Sequence, residues 1–206
     1  MSRLIAFGCS CTYGNGLEDC LTTNTLNPFP SNLAWPKLLA DKLSLECVNK
    51  GHSGFSNKRI WHKILNFDYK KDDVVLVLWT NKERFTVLDK KDQKTKDIGV
   101  WKEDPLSKWY YKMCYNDYDH LVDANLRISH SATFLDNLNI QNYHMFVQEI
   151  DKCFIPQTSN TLPIPVFSEF AEPYGLAPDN LHPSKEAHKK YTDLIYKAIK
   201  DETTLH

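Results

Sequence analysis

The stretch Leu4-Ile5-Ala6-Phe7-Gly8-Cys9-Ser10-Cys11-Thr12-Tyr13-Gly14-Asn15-Gly16 decides how the rest of the chain is read. An apolar run of strand length halts at Gly8 and passes into small polar residues, the pattern of a buried strand breaking into a tight turn. Ser10 stands at the break. A serine there can raise its hydroxyl above the end of a sheet with backbone N–H groups around it, which is what nucleophilic acyl chemistry needs. A phosphate-cradling loop or a plain strand-to-loop turn fits the same residues. The chain has 7 glycines, and Gly8, Gly14, Gly16, Gly51 and Gly54 fall in two short segments. Those two turns take most of its special backbone geometry.

Outward from this stretch the chain alternates. Residues 17–32 are polar, with Pro28 and Pro30, and read as loop. Leu33–Leu43 has helical spacing, and Pro36 places the helix start near Ala34 or Trp35. Leu45–Asn49 is a short strand that ends in the turn Lys50–Asn57. Ser56 or Asn57 can cap the helix carrying Ile60, Trp61, Ile64 and Leu65. Val74–Trp79 is an unbroken apolar run, expected of a strand covered on both faces of a parallel sheet. Strand, helix, strand, helix, strand is the α/β layered pattern with right-handed crossovers.

Residues 85–118 break the rhythm and read as an aromatic-rich insertion in a single domain spanning 1–206. Its charged stretch 90–97 reads as a solvated loop. Trp101, Trp109, Tyr110, Tyr111, Tyr115 and Tyr118 follow, either packing the insertion on the body or forming a wall that meets a sugar or an acyl chain. A helix over 119–138, a strand over 144–148, a proline-rich stretch over 156–178 that is mostly loop and a last helix starting at Pro183-Ser184 complete the expectation. The residues after Lys200 are expected to fray.

Composition excludes little but is consistent. The 206 residues are 42% hydrophobic and 25% charged, with a formal net charge of -1. That balance gives no reason to expect nucleic acid or an anionic membrane as partner. The opening residues lack a signal peptide's apolar core, and no apolar stretch approaches a membrane span. The 6 cysteines lack the paired spacing of a zinc site, so no metal is expected and reduced thiols in a cytoplasmic chain are. Cys9, beside Ser10, is a rival nucleophile.

Near the other end stands Asp179-Asn180-Leu181-His182-Pro183. An aspartate and a histidine three residues apart at a helix start can share one side of a turn. The carboxylate then holds the imidazole while its other nitrogen takes a proton from serine. A capping aspartate beside an incidental surface histidine is the plainer alternative. In a doubly wound sheet the loops at the carboxyl ends of the strands cluster on one edge, which would gather Ser10, Gly54, Asn81 and 179–182.

The combination resembles the SGNH (GDSL-type) hydrolases. Gly8-Cys9-Ser10-Cys11-Thr12-Tyr13-Gly14 is similar to their first block, with Cys9 in place of the usual acid. Gly54 matches the second block, Asn81 the third in part, and Asp179, His182 and Pro183 the last in full. The resemblance implies a three-layer α/β/α sandwich with a mostly parallel, flavodoxin-like central sheet. It implies Ser10 as nucleophile, His182 as base and then acid, and Asp179 as its orienter. The N–H groups of Ser10 and Gly54, with the Asn81 side chain, would form the oxyanion hole.

The expectation is therefore a serine esterase acting on a small-molecule or glycan acyl ester such as an O-acetylated carbohydrate, with no metal or organic cofactor. Arg84 and Trp109 are candidate substrate contacts, Arg84 as an anchor for a carboxylate or sugar or simply as a surface ion pair. The alternative is a catalytically weak or inactive carbohydrate-binding protein on the same fold. A flavodoxin-like anion binder is a third reading, one that leaves Asp179 and His182 unexplained.

Overall fold

The computed structural model describes residues 2–21, 29–88, 95–150 and 160–203. The opening apolar run is strand β1 (Arg3–Gly8), followed by one turn of helix, α1 (Ser10–Tyr13), that closes on Gly14. Helix α2 (Trp35–Leu43) starts as expected, with Ala34 at its N-cap and Pro36 in the first turn. Strand β2 (Glu46–Asn49) leads through the second glycine turn into α3 (Asn57–Leu65). Ser56 is the cap of α3, its hydroxyl accepting from the Arg59 N–H. Strand β3 (Val74–Trp79) coincides with the unbroken apolar run.

The 85–118 region forms a hairpin, β4 (Phe85–Leu88) with β5 (Thr95–Ile98), and a helix, α4 (Pro105–Met113). Helix α5 (Asp117–Asn137), strand β6 (Gln141–Phe146), the short α6 (Phe167–Ala171) with a 3₁₀ turn at Glu172–Tyr174, and α7 (Lys185–Thr203) follow.

The sheet is all parallel, in the order β2-β1-β3-β6. Its two central strands are the two that read as continuous apolar runs. Leu4, Ile5, Ala6 and Phe7, and Val75 through Trp79, are at most 1% exposed. Helices cover both faces, α2 packing with α7 and α3 with α5. Each large side chain buried in this way contributes roughly 1.5–3 kcal/mol. Asp73, just before β3, is buried and paired with Arg3 at the start of β1, which pins the two strand beginnings together.

Three expectations are corrected. The last sheet strand runs over 141–146 rather than 144–148, because its polar residues are satisfied inside. His144 Nδ1 accepts from Trp79 Nε1 at 2.9 Å and its Nε2 contacts Asn142 Oδ1 at 3.0 Å. The described part of 156–178 is mostly loop, as expected, around the short α6, whose Phe167 and Ala171 are buried. Pro183 stands ahead of the last helix, bridging Leu176, and Ser184 caps that helix by accepting from the Ala187 N–H. The charged stretch 90–97 ends in a strand. Residues 89–94 lie outside the described residues, as do 22–28, 151–159 and 204–206. Among the described residues no helix is long and apolar enough to cross a membrane.

Candidate active site

The order β2-β1-β3 means that the chain leaves β1 in one direction and returns on its other side, so the crevice beyond β1 and β3 is the topological switch point. Ser10 lies there. Gly8 lets the backbone double back, since a Cβ on it would lie 2.0 Å from Thr12 Oγ1. Cys9 is the N-cap of α1 and Ser10 its first helical residue. The Ser10 N–H therefore belongs to the group that a helix leaves without an internal partner.

The Asp179–His182 turn closes against this loop. Asp179 Oδ1 accepts from the N–H groups of Leu181 and His182, both at 3.0 Å, and Oδ2 accepts from His182 Nδ1 at 2.6 Å. With Nδ1 engaged, Nε2 is the ring nitrogen left for other work. Burial pushes the Asp179 carboxyl up, but these three hydrogen bonds outweigh it and hold the group below the usual carboxylate range. The backbone N–H of Ala177 reaches the His182 carbonyl at 2.8 Å, and that of Ser184 reaches Gly175 at 3.1 Å. The carboxylate lies flat on Gly16, where a Cβ would sit 2.3 Å from it.

Ser10 and His182 line one cleft of about 360 Å³ together with Cys11, Arg84, Val147, Phe167, Glu172 and Leu181. Within it the two side chains make no hydrogen bond to each other among the described residues. Gly54, at φ +77°, follows β2, and Asn81 follows β3, on the same sheet edge. Neither is among the residues lining the cleft. The Asn81 Oδ1 is buried without a hydrogen-bond partner. Trp109 is 55% exposed on α4 and also stands outside the cleft lining. Trp101 is the ring that reaches Arg84, whose guanidinium carbon lies 4.6 Å from the ring centroid.

Cys9 is fully buried, whereas Cys11 reaches the cleft. A hydrogen bond from Cys11 draws the Cys9 thiol down against its burial, helped by the Arg84 charge. Donating to Cys9, together with burial, pushes the Cys11 thiol up. Among the described residues no group of three or more His, Cys, Asp or Glu side chains is placed to hold a metal ion.

Two asparagines outside the expected set position the loops. Asn57 binds Thr80 twice, its Nδ2 donating to the Thr80 carbonyl and its Oδ1 accepting from the Thr80 N–H, each at 2.9 Å. Asn49 donates from Nδ2 to the Thr12 carbonyl at 2.7 Å and accepts from the Gly51 N–H at 2.9 Å, tying the two glycine turns together. Nothing local marks either residue, because an asparagine at a strand end or helix start reads as an ordinary turn or cap.

No family model matches the sequence, and no curated protein sequence matches it. The fold has solved counterparts. A protein from Desulfitobacterium hafniense DCB-2, described as lipolytic and of the G-D-S-L family, matches with a TM-score of 0.54 at 13% identity, over 95% of this chain and 98% of that one. The psychrotrophic esterase from Pseudoalteromonas sp. matches with a TM-score of 0.53 at 14% identity, over 98% of each chain. An acetyl xylan esterase from the rumen bacterium Butyrivibrio proteoclasticus matches with a TM-score of 0.61 at 10% identity, over 100% of this chain and 65% of that one. At such identities the likeness is one of fold. The chain has the α/β/α sandwich on a parallel sheet that is found in solved G-D-S-L lipolytic and esterase structures.

Proposed function

We propose that residues 1–206 form one catalytic domain, with 85–118 as an insertion, that hydrolyses small acyl esters through Ser10, His182 and Asp179. The observation that carries this reading is the Asp179–His182 hydrogen bond of 2.6 Å on the wall of the cleft that also holds Ser10. Ser10 Oγ attacks the ester carbonyl while His182 Nε2 takes its proton, and Asp179 stabilises the imidazolium. The N–H groups of Ser10 and Gly54 and the Asn81 amide stabilise the oxyanion. His182 then protonates the leaving alcohol. Water, activated by the same imidazole, releases the acid.

The cleft volume of about 360 Å³ suits a short acyl group better than a long chain. The acetyl xylan esterase among the structural counterparts supports an O-acetylated carbohydrate as a substrate class. In a test with p-nitrophenyl acetate, Ser10→Ala and His182→Ala are each expected to lower kcat by about a thousandfold or more. Rates equal to that of the unaltered protein would refute the assignment. They would favour a carbohydrate-binding protein, the reading that Gly54 and Asn81, standing outside the cleft lining, favour.

A further inference from the structure

Arg84 lines the cleft beside Ser10, Cys11 and His182. Its Nε and Nη1 are buried, and neither has a hydrogen-bond partner. The chain's other arginines, Arg3, Arg59 and Arg127, each pair with a carboxylate, Asp73, Asp97 and Asp123. Among the described residues Arg84 has no such partner. A guanidinium cannot shed its charge at ordinary pH, and buried N–H donors left unmade cost free energy. The Cys9 thiol feels the Arg84 charge but makes it no hydrogen bond, so these donors are left for an acceptor from outside the chain. Its place is also fixed. The ring of Trp101 lies against the guanidinium, and the Arg84 backbone N–H donates to the Asn81 carbonyl at 3.3 Å. The guanidinium is therefore held in place on the loop that follows β3, and Arg84 lines the same cleft as the candidate nucleophile. The flat, two-oxygen acceptor that best matches a guanidinium is a carboxylate. Glu172 lies on the same cleft wall, exposed and not paired with Arg84 among the described residues.

Resting on the esterase reading above, we propose that Arg84 is the specificity-determining residue of this cleft and selects esters that carry a carboxylate close to the scissile bond.

The test compares three esters. They are p-nitrophenyl acetate, which is neutral, mono-p-nitrophenyl succinate, with a carboxylate on the acyl side, and 4-acetoxybenzoate, with one on the alcohol side. In the unaltered protein one of the two charged esters is expected to exceed the acetate in kcat/KM by about tenfold or more, after correction for intrinsic reactivity. Which one does so places the anion on the acyl or the alcohol side. Arg84→Gln should abolish that preference, lowering kcat/KM for the preferred charged ester about fivefold or more beyond any fall on the acetate. Arg84→Lys keeps the charge without the planar edge, should retain part of the preference, and serves in place of Arg84→Gln if that variant does not fold. Absence of preference for either charged ester, or an equal fall on all three substrates in Arg84→Gln, would overturn the proposal.

Ser10→Ala separates this outcome from failure of the esterase reading. If hydrolysis is independent of Ser10, Arg84 is judged on binding alone, by calorimetric titration of Ser10→Ala with monomethyl succinate against dimethyl succinate. Uptake of the charged ester that disappears with Arg84→Gln upholds the role. Equal affinity for the two compounds overturns it.

Discussion

An alanine at position 16 would place its Cβ 2.3 Å from the Asp179 carboxylate, on a residue whose φ is already +83°. Either the carboxylate shifts or the loop does, and both disturb the hydrogen bond that orients His182. Displacing a catalytic base by about 1 Å costs on the order of a hundredfold, so Gly16→Ala is expected to lower kcat/KM by between about tenfold and a hundredfold. Gly54 is the control for stability. It too has positive φ, +77°, but an added Cβ there meets nothing within 4 Å. Gly54→Ala should therefore lower stability by the backbone strain alone, about 1 kcal/mol. Steady-state kinetics on Gly16→Ala and a thermal melt on the pair check this; a kcat/KM for Gly16→Ala equal to that of the unaltered protein would show that the crowding does not reach His182. At this scale the sequence was informative where one short segment holds the candidate residues. Ser10 at a strand break and Asp179–His182 in one turn are local patterns, and both reach or support the same cleft. The part played by Gly16 was not legible, because it depends on a contact across 163 positions of chain (179 less 16) that only folding creates. Asn57 was hidden for the same reason, since its cap-like position says nothing about the strand end it holds.

The hairpin of β4 and β5 is fastened to the N-terminus of α3 by a run of polar contacts. Ser56 Oγ meets Thr86 Oγ1 at 2.6 Å, Thr86 Oγ1 donates to Asp97 Oδ1 at 2.7 Å, and Asp97 Oδ2 pairs with Arg59. Thr86 is fully buried and the Asp97 side chain is 12% exposed. Asp97→Ala would strand the threonine hydroxyl and the arginine together, at a cost of about 1–3 kcal/mol. The variant is expected to melt lower and to exchange the β4 and β5 amides faster, with the central strands protected as before. Unchanged exchange in the hairpin would mean that the aromatic contacts alone hold it. Those contacts are extensive. Phe85 stacks on Tyr110 with ring centroids 4.8 Å apart, Tyr110 Oη bonds His120 Nε2 at 2.9 Å, and Tyr111 donates to the Glu83 carbonyl. Most of the aromatic richness of 85–118 thus serves packing, with Trp101 turned to Arg84. Elements whose residues all favour one reading were legible: β1, β3 and the capped start of α3. Asp97 was not, because a charged residue in a charged run looks solvated until a buried partner is known. Strand β6 was displaced by two or three residues for a like reason, its buried Asn142 and His144 reading as polar surface.

Acid should weaken the whole molecule well before its carboxylates titrate, because two histidines are folded in without charge. His144 and His188 are both 0% exposed, and burial pushes them down to about 4 and about 3 respectively. The hydrogen bonds agree with neutral rings: His144 Nδ1 accepts from Trp79, and His188 Nδ1 accepts from the Trp35 N–H at 3.3 Å. Unfolded, each ring takes a proton near pH 6.5. Between that pH and the folded values the unfolded chain binds more protons, so stability is full above about pH 6.5 and declines as pH falls toward 4. Asp73 and Asp179 act lower down. For both, burial raises the carboxyl while hydrogen bonds more than offset it, from Arg3 and the Lys70 N–H in one case and from His182 in the other. Their contribution is present above the unfolded carboxylate range, near 4, and is lost only below it. Denaturant unfolding at intervals from pH 7.5 to 4 should then show a loss on the order of 2–4 kcal/mol before pH 5, where carboxylates alone would leave the curve nearly flat. His188→Asn should reduce that slope, whatever it does to stability at pH 7.5, because it removes one of the two groups that gain a proton on unfolding. A slope equal to that of the unaltered protein would show that His188 is not a source of the acid sensitivity.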